Sequence, residues 1–301
     1  MGIPMANVLK ELEQKGLIKP PSWLVENTHY LCQMGSVAYG VSNDSSDVDL
    51  YGFVVPTKEL IFPHLAGEID GFGTQLNRFY QYDPHHIKDP AKGKEYDLAI
   101  YSIVKYFDLV MGCNPNMIDS LFVPRRCVLF SSPIGEMVRD RRKMFLHKGA
   151  WHKFKGYAYS QLHKIGQANK SNPKRAADVE AHGYDTKFAY HVVRLLNEVE
   201  QIMVEHDLDI TRDREQLKAI RRGEWSLEYL HEWFEAKEKA LEGVYASSTL
   251  RYGPDEKAIK QLLLDCLEHH YGSLSGAVSR DNSHDQLLSD IMSVVRKYKV
   301  D

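Results

Sequence analysis

Up to about residue 133 short β-like runs alternate with helical ones, and beyond it the chain is helical almost throughout. A chain patterned this way must bury a small sheet against helices first and then pack helix on helix, so we expect a mixed α+β fold: a sheet core with flanking helices and a C-terminal helical lobe. The expected division is 1–132 for the sheet domain and 133–301 for the helical one, with a cleft between them. At 301 residues and 43% hydrophobic residues the chain can bury a real core in each part.

Within the first part, a helix over 6–15 is stopped by Gly16 and by Pro20 and Pro21. The apolar run 30–34 reads as a buried strand ending in a Gly-Ser turn. Residues 48–55, VDLYGFVV, form the clearest strand, rich in β-branched and aromatic residues and closed by Pro56. Strands are also expected over 96–100 and 127–130, and a helix over 101–112, where Ile103, Val104, Phe107, Val110 and Met111 recur at helical spacing. Residues 64–95 lack periodicity and read as a long loop, and 167–183 as a polar break. Helices are expected over 184–206, 213–222, 226–242, 255–270 and 284–299.

The segment Met34–Phe53, MGSVAYGVSNDSSDVDLYGF, carries chemistry. A strand that ends in Gly-Ser and opens into a short helix presents unpaired backbone N–H groups at one spot, which suits a phosphate. Gly35 lets phosphates approach the backbone, and the Ser36 hydroxyl can donate to a phosphate oxygen. Asp47 and Asp49 lie two apart on a strand, so both point to one face with Cα atoms roughly 6.6 Å apart. Carboxylates so placed, with substrate phosphates, suit Mg²⁺ or Mn²⁺, and two such ions about 4 Å apart would stabilise both the attacking and the departing oxygen of a phosphoryl-group displacement. Asp97, in EYDLAIY, is the expected third metal ligand and the group that orients or deprotonates an incoming hydroxyl, because a charge amid apolar strand residues needs a partner. Glu95 is its nearest rival.

On a later helix, Lys187, His191 and Arg194 recur beside an apolar stripe and are expected to contact triphosphate or phosphodiester groups. Tyr157, Gln161 and Lys164 repeat that spacing on an earlier helix. His85, His86, Lys88, Lys92 and Lys94 read as a solvated loop that could touch a nucleic-acid acceptor. Adjacent histidines without Cys or H-x-x-x-H spacing argue against zinc.

Composition narrows the class. The net charge is −3, so no global basic field draws the molecule to nucleic acid and any such contact is local. Cys32, Cys113, Cys127 and Cys266 lie far apart, which argues against a disulfide framework and fits reduced thiols in a cytoplasm. No apolar run approaches membrane-spanning length.

Gly35, Ser36, Asp47 and Asp49 resemble the shared pattern of the nucleotidyltransferase superfamily that includes DNA polymerase beta and the kanamycin-type nucleotidyltransferases. More narrowly, GSVAYG, SSDVDLYGFVVP, CNPNMIDSLF and GYDTKFAYHVVRLLNE resemble the predicted nucleotidyltransferases of the YcgL type, a group that includes the RNA-ligase-associated polynucleotidyltransferases; the likeness covers roughly residues 30–240. The resemblance implies transfer of a nucleoside monophosphate from an NTP such as ATP to a hydroxyl with release of pyrophosphate. The implied acceptor is an RNA 3′ end, in RNA repair or tailing. Gly35, Ser36, Ser46, Lys187, His191 and Arg194 would bind nucleotide, and Asp47, Asp49 and Asp97 would hold metal. Nucleotidylation of a small molecule or protein, and a non-catalytic nucleotide or RNA sensor, stay open. Two positions depart from the pattern: Tyr39 stands where many minimal members have Arg, and Asp119 where Glu is expected, the latter a matter of packing.

Overall fold

The computed structural model describes residues 8–42, 47–62, 77–165 and 173–272. In chain order these form α1 (Val8–Gln14), β1 (Thr28–Gln33), β2 (Val48–Val54), α2 (Lys58–Ile61), β3 (Gln81–Tyr82), β4 (Ile87–Asp89), β5 (Lys94–Ser102), α3 (Ile103–Met111), α4 (Pro115–Phe122) and β6 (Val128–Ser131). Helices follow: α5 (Pro133–Asp140), α6 (Gly149–Ile165), α7 (Pro173–His182), α8 (Thr186–Glu205), α9 (Arg214–Arg221), α10 (Leu227–Ser247) and α11 (Glu256–Tyr271). The fold is the expected mixed α+β arrangement. No helix among the described residues is long and apolar enough to cross a membrane, and all four cysteines are free and buried.

The six strands form one mixed sheet in the order β3-β5-β2-β1-β6, with β4 also paired to β5. The two pairs that matter most are β1 with β2, antiparallel, and β2 with β5, parallel. Alternation along each strand sorts side chains to opposite faces. On the back, Leu31, Val48, Leu50, Val54, Leu98 and Ile100 pack with Leu9 and Leu12 of α1. Toward the front, Tyr30, Cys32 and Phe53 join residues of α3 to α6 and α8 in a second buried cluster. That cluster runs across the expected boundary at 132/133, which falls between β6 and α5.

Helix starts follow from local chemistry. Ser102, Asn114, Ser132, Asp185, Ser226 and Asp255 each accept hydrogen bonds from the first-turn N–H groups of α3, α4, α5, α8, α10 and α11. For the site, Asp185 matters most. Its carboxylate accepts from the N–H groups of Lys187 and Phe188 at 2.9 and 3.2 Å and so fixes where α8 begins.

Two expectations need correction. The range 64–95 is not all loop, since β3 and β4 lie within it as short edge strands on β5; strands of two and three residues are too short to show an alternating pattern. The polar break 167–183 likewise contains α7, which opens with Pro173 at its first position and is mostly polar, so an apolar stripe was not there to find. The expected helix over 284–299 lies outside the described residues.

Gly52 sets how closely the two central strands approach. A Cβ there would lie 2.1 Å from the Tyr30 carbonyl oxygen, which is backbone and cannot yield without moving β1. Gly52→Ala is therefore expected to destabilise the protein by about 3 kcal/mol. Urea unfolding should show a lower midpoint at unchanged slope; an unchanged midpoint would contradict this packing.

Candidate active site

The front of the β2–β5 pair and the end of β1 converge on one place. β1 runs through Met34, whose N–H donates to the Asp49 carbonyl at 2.8 Å, into Gly35. Gly35 has φ +69°, and residues Gly35–Val37 make a single 3₁₀ turn. The Val41 N–H closes the bend on the Ser36 carbonyl at 2.8 Å. The short helix expected after Gly-Ser is this one 3₁₀ turn, so the bend offers the free N–H groups of a first turn with little helix dipole behind them.

Asp49 lies directly against this bend. A Cβ on Gly35 would sit 2.1 Å from the Asp49 Oδ2, so glycine is required there twice over, by its positive φ and by the carboxylate that occupies the space. Across the sheet, Asp49 is the register partner of Asp97. Parallel partners share a face, and neighbouring strands run about 4.8 Å apart, which brings the two carboxylates together. Asp47 is exposed and immediately precedes β2. Ser46 lies outside the described residues.

Electrostatics follow from that placement. The Asp49 carboxyl is pushed up to about 6, first by burial, with Lys187 opposing the shift, the repulsion of Asp97 and Asp47 adding to it, and His85 opposing it weakly. Asp97 is held in place by the loop before β4, where the His86 N–H donates to Oδ1 at 2.7 Å and the His85 Nδ1 lies 3.5 Å from the same oxygen. The His86 ring in turn meets Glu95 at 2.6 Å, and that hydrogen bond raises the imidazole above its ordinary range. His85 and His86, read from sequence as solvated loop, thus stand behind the third acid. Nothing in their spacing announced this, because β4 that positions them was itself unseen.

The helical residues divide. Lys187, in the first turn of α8, is exposed with its charge reaching Asp49. His191 is half-buried against the Tyr190 ring, centroids 4.1 Å apart. Arg194 corrects the expectation of a phosphate contact, for it is buried and already engaged. Its guanidinium bonds Asp119, donates to the Tyr39 hydroxyl at 2.9 Å and to Glu198 at 3.1 Å, and lies 4.3 Å over the Tyr39 ring. The Tyr39 hydroxyl donates to Asp119 at 2.8 Å. Burial pushes the Asp119 and Glu198 carboxyls up, with Arg194 drawing both back down. The two departures from the family pattern, Tyr39 and Asp119, are therefore one arrangement, in which they share an arginine from α8. Sequence reasoning had the residues but treated them separately. It also missed Arg214, whose Cδ would lie 3.5 Å from a Cβ on Gly40, at the end of the same bend.

Three acids with oxygen donors only, one of them against a glycine bend, match the donor chemistry of a hard divalent cation. Among the described residues, however, no three His, Cys, Asp or Glu side chains already stand at metal-holding spacing.

The sign of the Asp49 shift yields a test. A folded-state value near 6 against an ordinary 3.8 means that the folded protein favours the protonated acid. The cost is absent below about pH 4, grows between the two values and is constant above about pH 6. Asp49→Asn is expected to raise stability in metal-free buffer at pH 8 by on the order of 2 kcal/mol, and by nothing measurable at pH 3.5. Thermal unfolding of both proteins across pH checks this, and a pH-independent difference would contradict the burial and repulsion described.

The model of RlaP, the RNA repair pathway DNA polymerase beta family, matches residues 1–271. No curated protein matches. Among solved structures, a nucleotidyltransferase-like protein from Exiguobacterium sibiricum 255-15 is 9% identical over 79% of this chain and 73% of its own, at a TM-score of 0.27, too low to bear on the argument. With an RNA-repair polymerase-beta model spanning nearly the whole chain, and the Gly-Ser bend facing its aspartates, this protein belongs to the RNA repair pathway DNA polymerase beta family of nucleotidyltransferases.

Proposed function

We propose that the protein transfers a nucleoside monophosphate from an NTP to the 3′ hydroxyl of an RNA, releasing pyrophosphate, with residues 1–132 carrying the reacting groups and 133–301 closing the cleft. The observation that carries this reading is the contact of Asp49 with the Gly35 bend, with Asp97 beside it in register. A triphosphate seated on a bend needs counter-charge where its α-phosphate meets the acceptor, and that is where the acids gather.

Asp47, Asp49 and Asp97 would hold Mg²⁺ or Mn²⁺, which supplies Lewis-acid neutralisation of phosphate charge and makes a hydroxyl more acidic. The remaining work falls to the chain itself. The N–H groups of the bend and the Ser36 hydroxyl bind phosphate oxygens. Lys187, whose charge reaches Asp49, meets the triphosphate from the helical side. Asp97, steadied by the His86 N–H, orients the acceptor hydroxyl and takes its proton. The acceptor oxygen forms a bond to the α-phosphorus as the bond to the bridging oxygen breaks, and that electron pair leaves with pyrophosphate. His191 stands one turn along α8 from Lys187, where it can reach a phosphate or the acceptor.

The experiment is direct. The protein is incubated with each α-labelled NTP, Mg²⁺ and total RNA, beside an Asp47→Ala, Asp49→Ala double variant. We expect label on RNA from the wild type and at least about a thousandfold less from the variant, since both charged ligands are lost. Equal labelling by the two proteins contradicts the site, and label found only on protein or a small molecule contradicts the acceptor.

A further inference from the structure

On the front of the sheet the row of acids gives way to tyrosines. Along β2 the face carries Asp49 and then Tyr51; along β5 it carries Asp97, Ala99 and Tyr101. The register sets Tyr51 beside Ala99 and Tyr101 beside Phe53, so Tyr51 follows directly on the acid pair and Tyr101 lies one row further along the same face. Tyr157, from α6, is 40% exposed and lies within electrostatic reach of both Tyr51 and Tyr101.

These three differ from the tyrosines of the core. Tyr30, Tyr39 and Tyr106 are buried and each places its hydroxyl on a protein partner, as a buried phenol must. Among the described residues the hydroxyls of Tyr51, Tyr101 and Tyr157 make no hydrogen bond. Tyr51 and Tyr101 pack in part against the core, yet their hydroxyls stay open on the face that carries the acids. Position adds the rest. In the order β5-β2-β1 the phosphate bend lies on the β1 side of Asp49, whereas Tyr101 stands on β5, the strand that carries Asp97, four residues beyond it. That is the acceptor's side of the reaction.

We propose that Tyr51, Tyr101 and Tyr157 form an acceptor subsite that stacks the last bases of a single-stranded RNA 3′ end and so delivers its hydroxyl to Asp97; this rests on the transfer reaction proposed above. Aromatic faces bind unpaired bases of any identity, whereas a duplex keeps its bases stacked on each other. The chain's net charge of −3 supplies no broad phosphate-binding field, so affinity for an RNA end has to come from such local stacking. The family's description places it in an RNA repair pathway.

Binding without turnover tests it. Fluorescence anisotropy follows a 5′-fluorescein adenosine tetranucleotide, with a free 3′ hydroxyl, titrated with the full chain and with Tyr101→Leu, Tyr157→Leu, Tyr101→Phe and Tyr157→Phe, each checked for native circular dichroism. Using Tyr101 and Tyr157 avoids the more buried Tyr51, whose loss could unfold the sheet. Each Leu variant is expected to bind about tenfold more weakly and each Phe variant within about twofold of wild type, because stacking needs the ring and not the hydroxyl. Leu variants that bind as tightly as wild type overturn the subsite, as does a wild type that fails to bind the tetranucleotide, or one that binds a tyrosyl peptide acceptor in its place. Because the readout needs no chemistry, ring-dependent binding without label transfer would sink the transfer reading, and with it the delivery of a hydroxyl to Asp97, while leaving a base-stacking site on these rings. Transfer to RNA with Leu variants unchanged would do the reverse.

Discussion

The carboxylate of Asp49 fills the space where any residue other than glycine at position 35 would carry its Cβ. Much of the site depends on that contact. It fixes the bend at the end of β1 against the acid on β2, so that the backbone N–H groups of the bend and the Asp49 carboxylate meet at one place. The parallel pairing of β2 with β5 then brings Asp97 level with Asp49. Three separate strands are needed to build this corner, and the close β1–β2 approach at Gly52 holds two of them together.

A second constraint joins the bend to the helical half. Arg194 of α8 lies over Tyr39 and bonds Asp119 of α4 and Glu198 one turn along its own helix. One guanidinium among two buried carboxylates is strongly retained, because removing it would leave charge in the core without compensation. The arrangement ties the residue four positions after Gly35 to the helix that presents Lys187 and His191. A residue expected to touch substrate thus ties α8 and α4 to the residues that follow the bend.

Much of this corner was legible in the sequence because strand alternation is a short-range rule. Gly35, Ser36, Asp47 and Asp49 follow from a turn and a two-residue period, and Asp97 from a charge amid apolar strand residues. What could not be read is what distant segments decide. Arg194 has the spacing of a cleft residue on one side of α8, yet which neighbour that side meets depends on Tyr39 and Asp119, 155 and 75 positions away. His85 and His86 gained their place from β4, too short to leave a pattern. The tyrosines of β2 and β5 looked like ordinary strand residues until the parallel register put them on one face with the acids.

The account's central claim is that Asp47, Asp49 and Asp97 gather divalent cations beside the Gly35–Ser36 bend. The most direct measurement is a crystal structure with Mn²⁺ and a non-hydrolysable NTP analogue, with manganese located by its anomalous signal. The account predicts two peaks about 4 Å apart, in contact with Asp49 and the triphosphate, the latter seated on the bend. Manganese bound elsewhere, or a triphosphate bound away from residues 35 and 36, would contradict it.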